Sequence, residues 1–143
     1  MGNGRYIATM DLFPQEDRDH NKLYQFYENL RNNKLTTTKC RECGAVKWPP
    51  RTVCPECMSE DLEWVEIGPA GKVEIFTVEE VGVPEGFERP LIHALVALDG
   101  SSPLTIFSRL VDVTPDQIKE GMRVELKVME IPRERVTFAF KPV

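Results

Sequence analysis

A chain of 143 residues, 41% apolar and 29% charged, has the size of one ordinary domain or of two small ones sharing a modest core. No run approaches the roughly 18–20 uninterrupted apolar residues of a membrane-spanning helix. The first twenty residues have acids early and no apolar stretch of leader length, so a cytoplasmic protein without a membrane span is expected. Eighteen Lys and Arg against twenty-three Asp and Glu leave a net charge of −5, which argues against a surface coated for nucleic acid.

Residues 1–35 predict an irregular lead and then an amphipathic helix. Leu23, Phe26, Tyr27 and Leu30 fall at i, i+3, i+4 and i+7, one stripe of a 3.6-residue period. Asp17 and Asp19 stand near its start and Arg31 near its end, as the helix dipole favours, and Asn32-Asn33 offers a stop. Such a stripe either docks on the rest of the chain or grips a partner protein. Residues 36–67 hold all four cysteines and little that could build an apolar core. Residues 68–143 read as β-structure. Lys72–Val81 is a strand candidate, and a turn-rich span with Pro84, Gly86 and Pro90 follows it. Leu91–Leu98 (LIHALVAL) is almost continuously apolar, the pattern of a strand covered on both faces.

After Asp99-Gly100 the extended pattern resumes over Leu104–Leu110. A short helix is then signalled by Thr114 as N-cap, Pro115 at the first turn, Gln117 three residues after the cap and Gly121 at the end. Met122, Val124, Leu126 and Val128 alternate with longer polar residues, as in a half-buried strand. Val136, Phe138 and Phe140 share one face of a last strand. About five strands in so short a span fit a small closed barrel of the OB type, with a small β-sandwich as the alternative. The expected fold is therefore mainly β with an N-terminal helix, a rubredoxin-like zinc ribbon over residues 36–67 and an OB-fold barrel over residues 68–143.

Cys40-Arg41-Glu42-Cys43 and Cys54-Pro55-Glu56-Cys57 are two Cys-x-x-Cys units separated by ten residues. Two tight knuckles supply four sulfurs to one tetrahedral ion from a minimal length of chain. Gly44 follows the first pair, where such a turn often needs φ > 0. Structural zinc suits four thiolates; a rubredoxin-like iron site, two disulfides and a catalytic dithiol are the competing readings. Cysteines committed as ligands are not free to act as nucleophiles, and a closed shell leaves no position for an activated water. His20 and His93 are the remaining histidines. No Ser/His/Asp grouping, metal triad or phosphate-cradling loop is legible, so the chain alone does not read as an enzyme.

Charge is unevenly distributed along the cysteine segment. Lys34, Lys39, Arg41, Lys47 and Arg51 face a single acid, Glu42, between residues 34 and 52. Residues 53–67 contain five acids and no base. Trp48-Pro49-Pro50 sits within the basic stretch. An aromatic among cations can stack on a base while the cations hold phosphates, as in a nucleotide-bearing cofactor or single-stranded nucleic acid. The competing reading packs Trp48 between the two domains.

The ordered set Cys40-x-x-Cys43-Gly44, Trp48-Pro49-Pro50-Arg51, Cys54-Pro55-x-Cys57, Leu62-x-Trp64 and Gly71-Lys72-Val73 resembles the DUF35 family of zinc-ribbon plus OB-fold proteins. Pro90-Leu91, Ala94–Asp99, Gly121-Met122-x-Val124 and Phe138-x-Phe140-x-Pro142 continue the likeness, which covers about residues 20–143. Gly100-Ser101-Ser102-Pro103 departs from it. The resemblance implies a non-catalytic accessory subunit for enzymes acting on CoA thioesters, of a kind typically encoded beside thiolase-like proteins. The implied partner is a thiolase; a MaoC-type hydratase, a retro-aldolase or a 3-hydroxy-3-methylglutaryl-CoA synthase assembly are alternatives. The ribbon–barrel junction would then cover the partner's acyl-CoA site. Lys39, Arg41, Lys47, Trp48 and Arg51 are the candidate CoA-facing wall, with Phe87 and Arg89 in the long loop as lid. Leu23, Tyr24, Phe26, Tyr27 and Leu30 are the candidate partner contacts. A single-stranded nucleic-acid binder is the rival from another class, disfavoured by the net charge and by the scarcity of exposed aromatics expected on the barrel strands.

Overall fold

The amphipathic stripe forms helix α1 (Tyr24–Arg31). The computed structural model describes residues 15–100 and 104–143; the expected lead over residues 1–14 and the Ser101-Ser102-Pro103 departure lie outside them. Phe26 and Leu30 are buried in the chain's own core, Leu30 completely. Arg31 occupies the last turn, and Asn33 adopts φ 59°, the left-handed residue that ends many helices. Asp17 and Asp19 do not stand at the start of α1, contrary to expectation. The Asp17 carboxylate accepts the backbone N–H groups of Asp19 and His20, both at 3.1 Å. A carboxylate this short bonds its own backbone two or three residues on, which closes a separate turn. The Asn21 side-chain oxygen then receives the Leu23 N–H at 2.8 Å and leads into the helix.

Strands β1 (Thr36–Cys40), β2 (Val46–Lys47) and β3 (Leu62–Glu66) make a small antiparallel sheet in the order β2-β1-β3. The longer strands are β4 (Ala70–Glu79), β5 (Leu91–Leu98), β6 (Thr105–Arg109), β7 (Arg123–Ile131) and β8 (Arg135–Pro142), in the order β6-β5-β4-β7-β8. A parallel bridge between Leu110 and Phe140, with the Val111 N–H donated to the Phe140 carbonyl at 2.9 Å, joins the two outer strands. The result is the nearly closed five-stranded barrel of the OB type. Gly71 lets β4 and β5 approach, since a Cβ there would stand 2.3 Å from the Ala97 carbonyl oxygen. The short helix is reduced to a single 3₁₀ turn, Pro115–Gln117. Gln117 accepts the Thr114 N–H at 3.0 Å as the capping signal requires, but Ile118 takes an extended backbone and turns inward, 6% exposed. Burial of Ile118 competes with continuation of the helix.

Leu30, Leu35, Val73, Val96, Ile106, Val124 and Phe140 form one core, each side chain contributing about 1.5–3 kcal/mol by leaving water. Helix, ribbon and barrel share it through a chain of rings. Phe138 of β8 meets Phe26 at 6.0 Å, Trp48 at 5.9 Å and Phe140 at 6.4 Å between centroids.

Glu16 ties the segment before α1 to the barrel. Its buried carboxylate accepts the Val136 N–H at 3.0 and 3.2 Å and the Arg31 guanidinium at 2.8 Å. Burial outweighs these bonds and raises its pKa above the ordinary value. The native state then binds the Glu16 proton more tightly than the unfolded chain does. The contribution of this residue is therefore fully present below pH 4.5 and declines as pH rises through the native pKa. Denaturant midpoints measured against pH are expected to show this decline in the parent chain, and Glu16→Gln is expected to remove it.

Candidate metal centre and ribbon–barrel junction

The two Cys-x-x-Cys units fold into matching knuckles. The Cys40 N–H reaches the Ala45 carbonyl at 2.9 Å and the Gly44 N–H returns to Cys40 at 3.0 Å. In the second unit Cys54 donates to Ser59 at 2.8 Å and Met58 donates to Cys54 at 2.9 Å. Gly44 has φ 76° and Met58, its counterpart, φ 65°, so both turns need the left-handed region that glycine enters without strain. All four sulfurs lie within 4.8 Å of one another. Cys40 Sγ is 3.5 Å from Cys57 Sγ, and Cys43 Sγ is 3.6 Å from Cys54 Sγ. A tetrahedron with metal–sulfur bonds of about 2.3 Å has edges of roughly 3.8 Å, and the unbridged cysteines fit it.

The local field is set by backbone N–H groups. The Cys43 N–H points at Cys40 Sγ from 3.5 Å and draws that thiol down to about 7. Cys57 accepts from the Ser59 backbone, yet its hydrogen bonds to the neighbouring sulfurs push it up to about 12. Four negative sulfurs within 4.8 Å of one another repel unless a cation stands among them, and uptake of a divalent ion by thiols releases protons.

The uneven charge along the sequence is largely cancelled in space. Antiparallel pairing of β1 with β3 sets Lys39 opposite Glu63 and Cys40 opposite Leu62. Arg41 consequently meets Asp61 at 3.4 Å and Glu63 at 3.2 Å. Lys47 meets Glu56 at 2.8 Å. These acids raise the pKa values of Arg41 and Lys47 and hold both cations charged. Lys39 and Arg51 have no acidic partner within ion-pair distance among the described residues.

Trp48 packs 5.8 Å from Phe26 as well as on Phe138, so it stands between helix, ribbon and barrel. Leu23, Phe26, Tyr27, Trp48, Pro50 and Phe138 line a cleft of about 270 Å³ at this junction. Residues singled out separately as partner contacts and as CoA wall thus meet in one place. Tyr24 is half-buried under the Arg18 guanidinium, 4.8 Å from its ring centroid. Phe87 and Arg89 belong to the loop after β4, where the Arg109 guanidinium lies 4.9 Å above the Phe87 ring. His93 is held by Glu79 at 3.0 Å and stacked on Phe107 at 4.8 Å.

Sequence reasoning missed the outward face of β5. Leu91–Leu98 is buried on its inner side, while Leu95 is 36% exposed. The available signal was the absence of alternation, which demands a second cover without saying what provides it. Among the described residues no helix is long and apolar enough to cross a membrane.

These features define a four-cysteine zinc ribbon fused to an OB barrel. The model for the ChsH2 rubredoxin-like zinc ribbon domain matches residues 28–63, and that for the ChsH2 C-terminal OB-fold domain matches residues 64–128. The chain belongs to the DUF35/ChsH2 family. A DUF35 domain-containing scaffold protein of Pyrococcus furiosus is 35% identical over 83% of this chain and 91% of its own length. The benzoylsuccinyl-CoA thiolase subunit BbsA of Thauera aromatica is 29% identical, over 63% of this chain and 60% of its own. A "Probable enoyl-CoA hydratase alpha subunit" of Thermomonospora curvata is 32% identical over 82% of this chain, which spans only 36% of that protein. A solved chain of the Ltp2-ChsH2(DUF35) aldolase superposes with a TM-score of 0.75 at 29% identity, covering 91% of this chain and 98% of that one.

Proposed function

We propose that this chain is a non-catalytic accessory subunit of a thiolase complex, which binds the thiolase-like subunit and helps cover its acyl-CoA site. The observation that supports this reading is the likeness, over 91% of this chain, to a solved chain of the Ltp2-ChsH2(DUF35) aldolase, together with the likeness to the thiolase subunit BbsA. The site chemistry agrees with it. Four cysteines committed to a closed zinc shell offer neither a nucleophile nor a metal-bound water. When bound, the ion supplies rigidity. The junction cleft, walled by Trp48, Tyr27 and Leu23, suits the apolar arm of a CoA thioester. Lys39 and Arg51 are the cations left to meet its phosphates, while Arg41 and Lys47 serve the ribbon's own ion pairs.

Co-expression with a thiolase-like protein of the source organism tests the proposal. The expected result is a co-purifying pair whose turnover of a CoA thioester needs both chains. In that complex Arg51→Glu is expected to raise KM for the thioester about tenfold with kcat little changed, as for a contact made equally in ground and transition states. A thiolase-like protein that never co-purifies with this chain and is fully active alone overturns the reading. The likeness to the hydratase subunit favours a second reading, a hydratase partner, which the same co-expression made with a MaoC-type protein examines.

A further inference from the structure

The outward side of β4, β5 and β6 has an apolar row that the rest of the described chain leaves open. Ile75 pairs with Leu95, and Leu95 pairs with Phe107. Residues opposite one another in antiparallel strands point to the same face, so the three side chains form one row across three strands. They are 54%, 36% and 62% exposed. Thr77, His93 and Arg109 form the next row.

That second row supplies direction. The His93 ring lies against Phe107, fixed by Glu79. The Arg109 guanidinium is half-buried over Phe87, and its Nε is shut off from water with no hydrogen-bond acceptor among the described residues. A desolvated guanidinium stacked on a ring is preorganised for a planar acceptor. Arginine and aromatic residues in such settings dominate the binding energy of protein interfaces.

OB barrels bind ligands on the face of their second and third strands, here β5 and β6. An oligonucleotide on that face would need several cations for its phosphates. Beyond the apolar row Lys72 pairs with Ala97 and Ala97 with Thr105, so the three rows offer two cations, Lys72 and Arg109, with Glu79 beside His93 and Glu88 acting electrostatically on Arg109 itself. An apolar row with a single cation on either side, one of them facing acids, fits protein surface better than a run of phosphates.

We propose that the outward face of β4, β5 and β6, centred on Leu95 and Phe107, is where the thiolase-like subunit docks, setting an apolar patch on the row and an acceptor oxygen against Arg109. This rests on the reading that a thiolase-like protein is the partner, and identifies the surface it uses. Phe107→Lys and Leu95→Glu place charge in the centre of the contact, and Arg109→Ala removes the donor.

The test is titration of a purified thiolase-like protein of the source organism with parent and variant chains matched for zinc content. The expected result is at least about thirtyfold weaker binding for Phe107→Lys and Leu95→Glu and about tenfold for Arg109→Ala, with unchanged unfolding midpoints for the free variants. Parent and variants that bind equally tightly overturn this docking face while leaving the accessory-subunit reading standing. A parent that does not bind overturns both. Lowered unfolding midpoints in both charged variants mean that the chain itself covers the row, and overturn the proposal. So does a parent dimer dissolved by Leu95→Glu without loss of thiolase binding, or labelled poly-U bound by the parent and released by Phe107→Lys.

Discussion

Replacing Cys54 with serine is expected to abolish binding of one zinc per chain and to unfold the ribbon while the barrel strands persist. The reason lies in what the ribbon buries. Between residues 36 and 66 the buried positions are Thr36, Thr37, Thr38, Cys40, Pro50 and Cys54. Threonines and thiolates do not provide the apolar area that holds a sheet together, so the ion must. Binding of structural zinc in comparable small modules is worth an apparent 10–16 kcal/mol or so near neutral pH, more than the whole stability of many domains. Metal analysis gives the first readout and amide exchange the second. Protection is expected to vanish at the Cys40 and Cys54 amides, which the knuckles hold, and to survive along β4 and β5. A serine variant that keeps both its metal and its protected knuckles would show that the sulfurs are not what binds the ribbon together.

The second large effect is expected at Phe140. Its ring is fully buried, its residue forms the bridge to Leu110, and its carbonyl receives the Val111 N–H. Phe140→Ala leaves a cavity where the barrel closes, with an expected loss of about 3–5 kcal/mol, checked by equilibrium denaturation. The same seam positions β6, which holds Phe107 and Arg109. Partner affinity is therefore expected to fall in Phe140→Ala even though the ring touches no partner. Leu110→Val, a smaller deletion on the other side of the seam, is expected to show both effects in reduced form.

Much of this architecture was legible in the sequence because the signals are local. Two knuckles separated by ten residues, Gly44 with its left-handed turn, Asn33 at the end of α1 and the apolar run Leu91–Leu98 each sit where the reading puts them. What escaped depends on pairing between distant segments. Arg41 and Lys47 look like an unbalanced basic patch along the chain, but β1 and β3 run antiparallel and bring Asp61 and Glu63 to Arg41, while the facing knuckle brings Glu56 to Lys47. Asp17 was misplaced for the opposite reason, since its short side chain satisfied a turn closer than the helix. The helix stripe left open whether it served the chain or a partner. Phe26 and Leu30 went to the chain's own core, and Leu23, Tyr24 and Tyr27 remain partly exposed beside it. The exposed Phe107 was hidden because alternation within one strand does not reveal that two neighbouring strands place apolar residues alongside it.

Both tryptophans of the chain, Trp48 and Trp64, lie in the cysteine-bearing segment and pack against the shared core. Their indoles make an intrinsic optical gauge of whether that segment is seated on the barrel. Separation would move both rings into water and shift their fluorescence emission to longer wavelength, so the seating can be followed in real time, without a label, as the ion is withdrawn and returned.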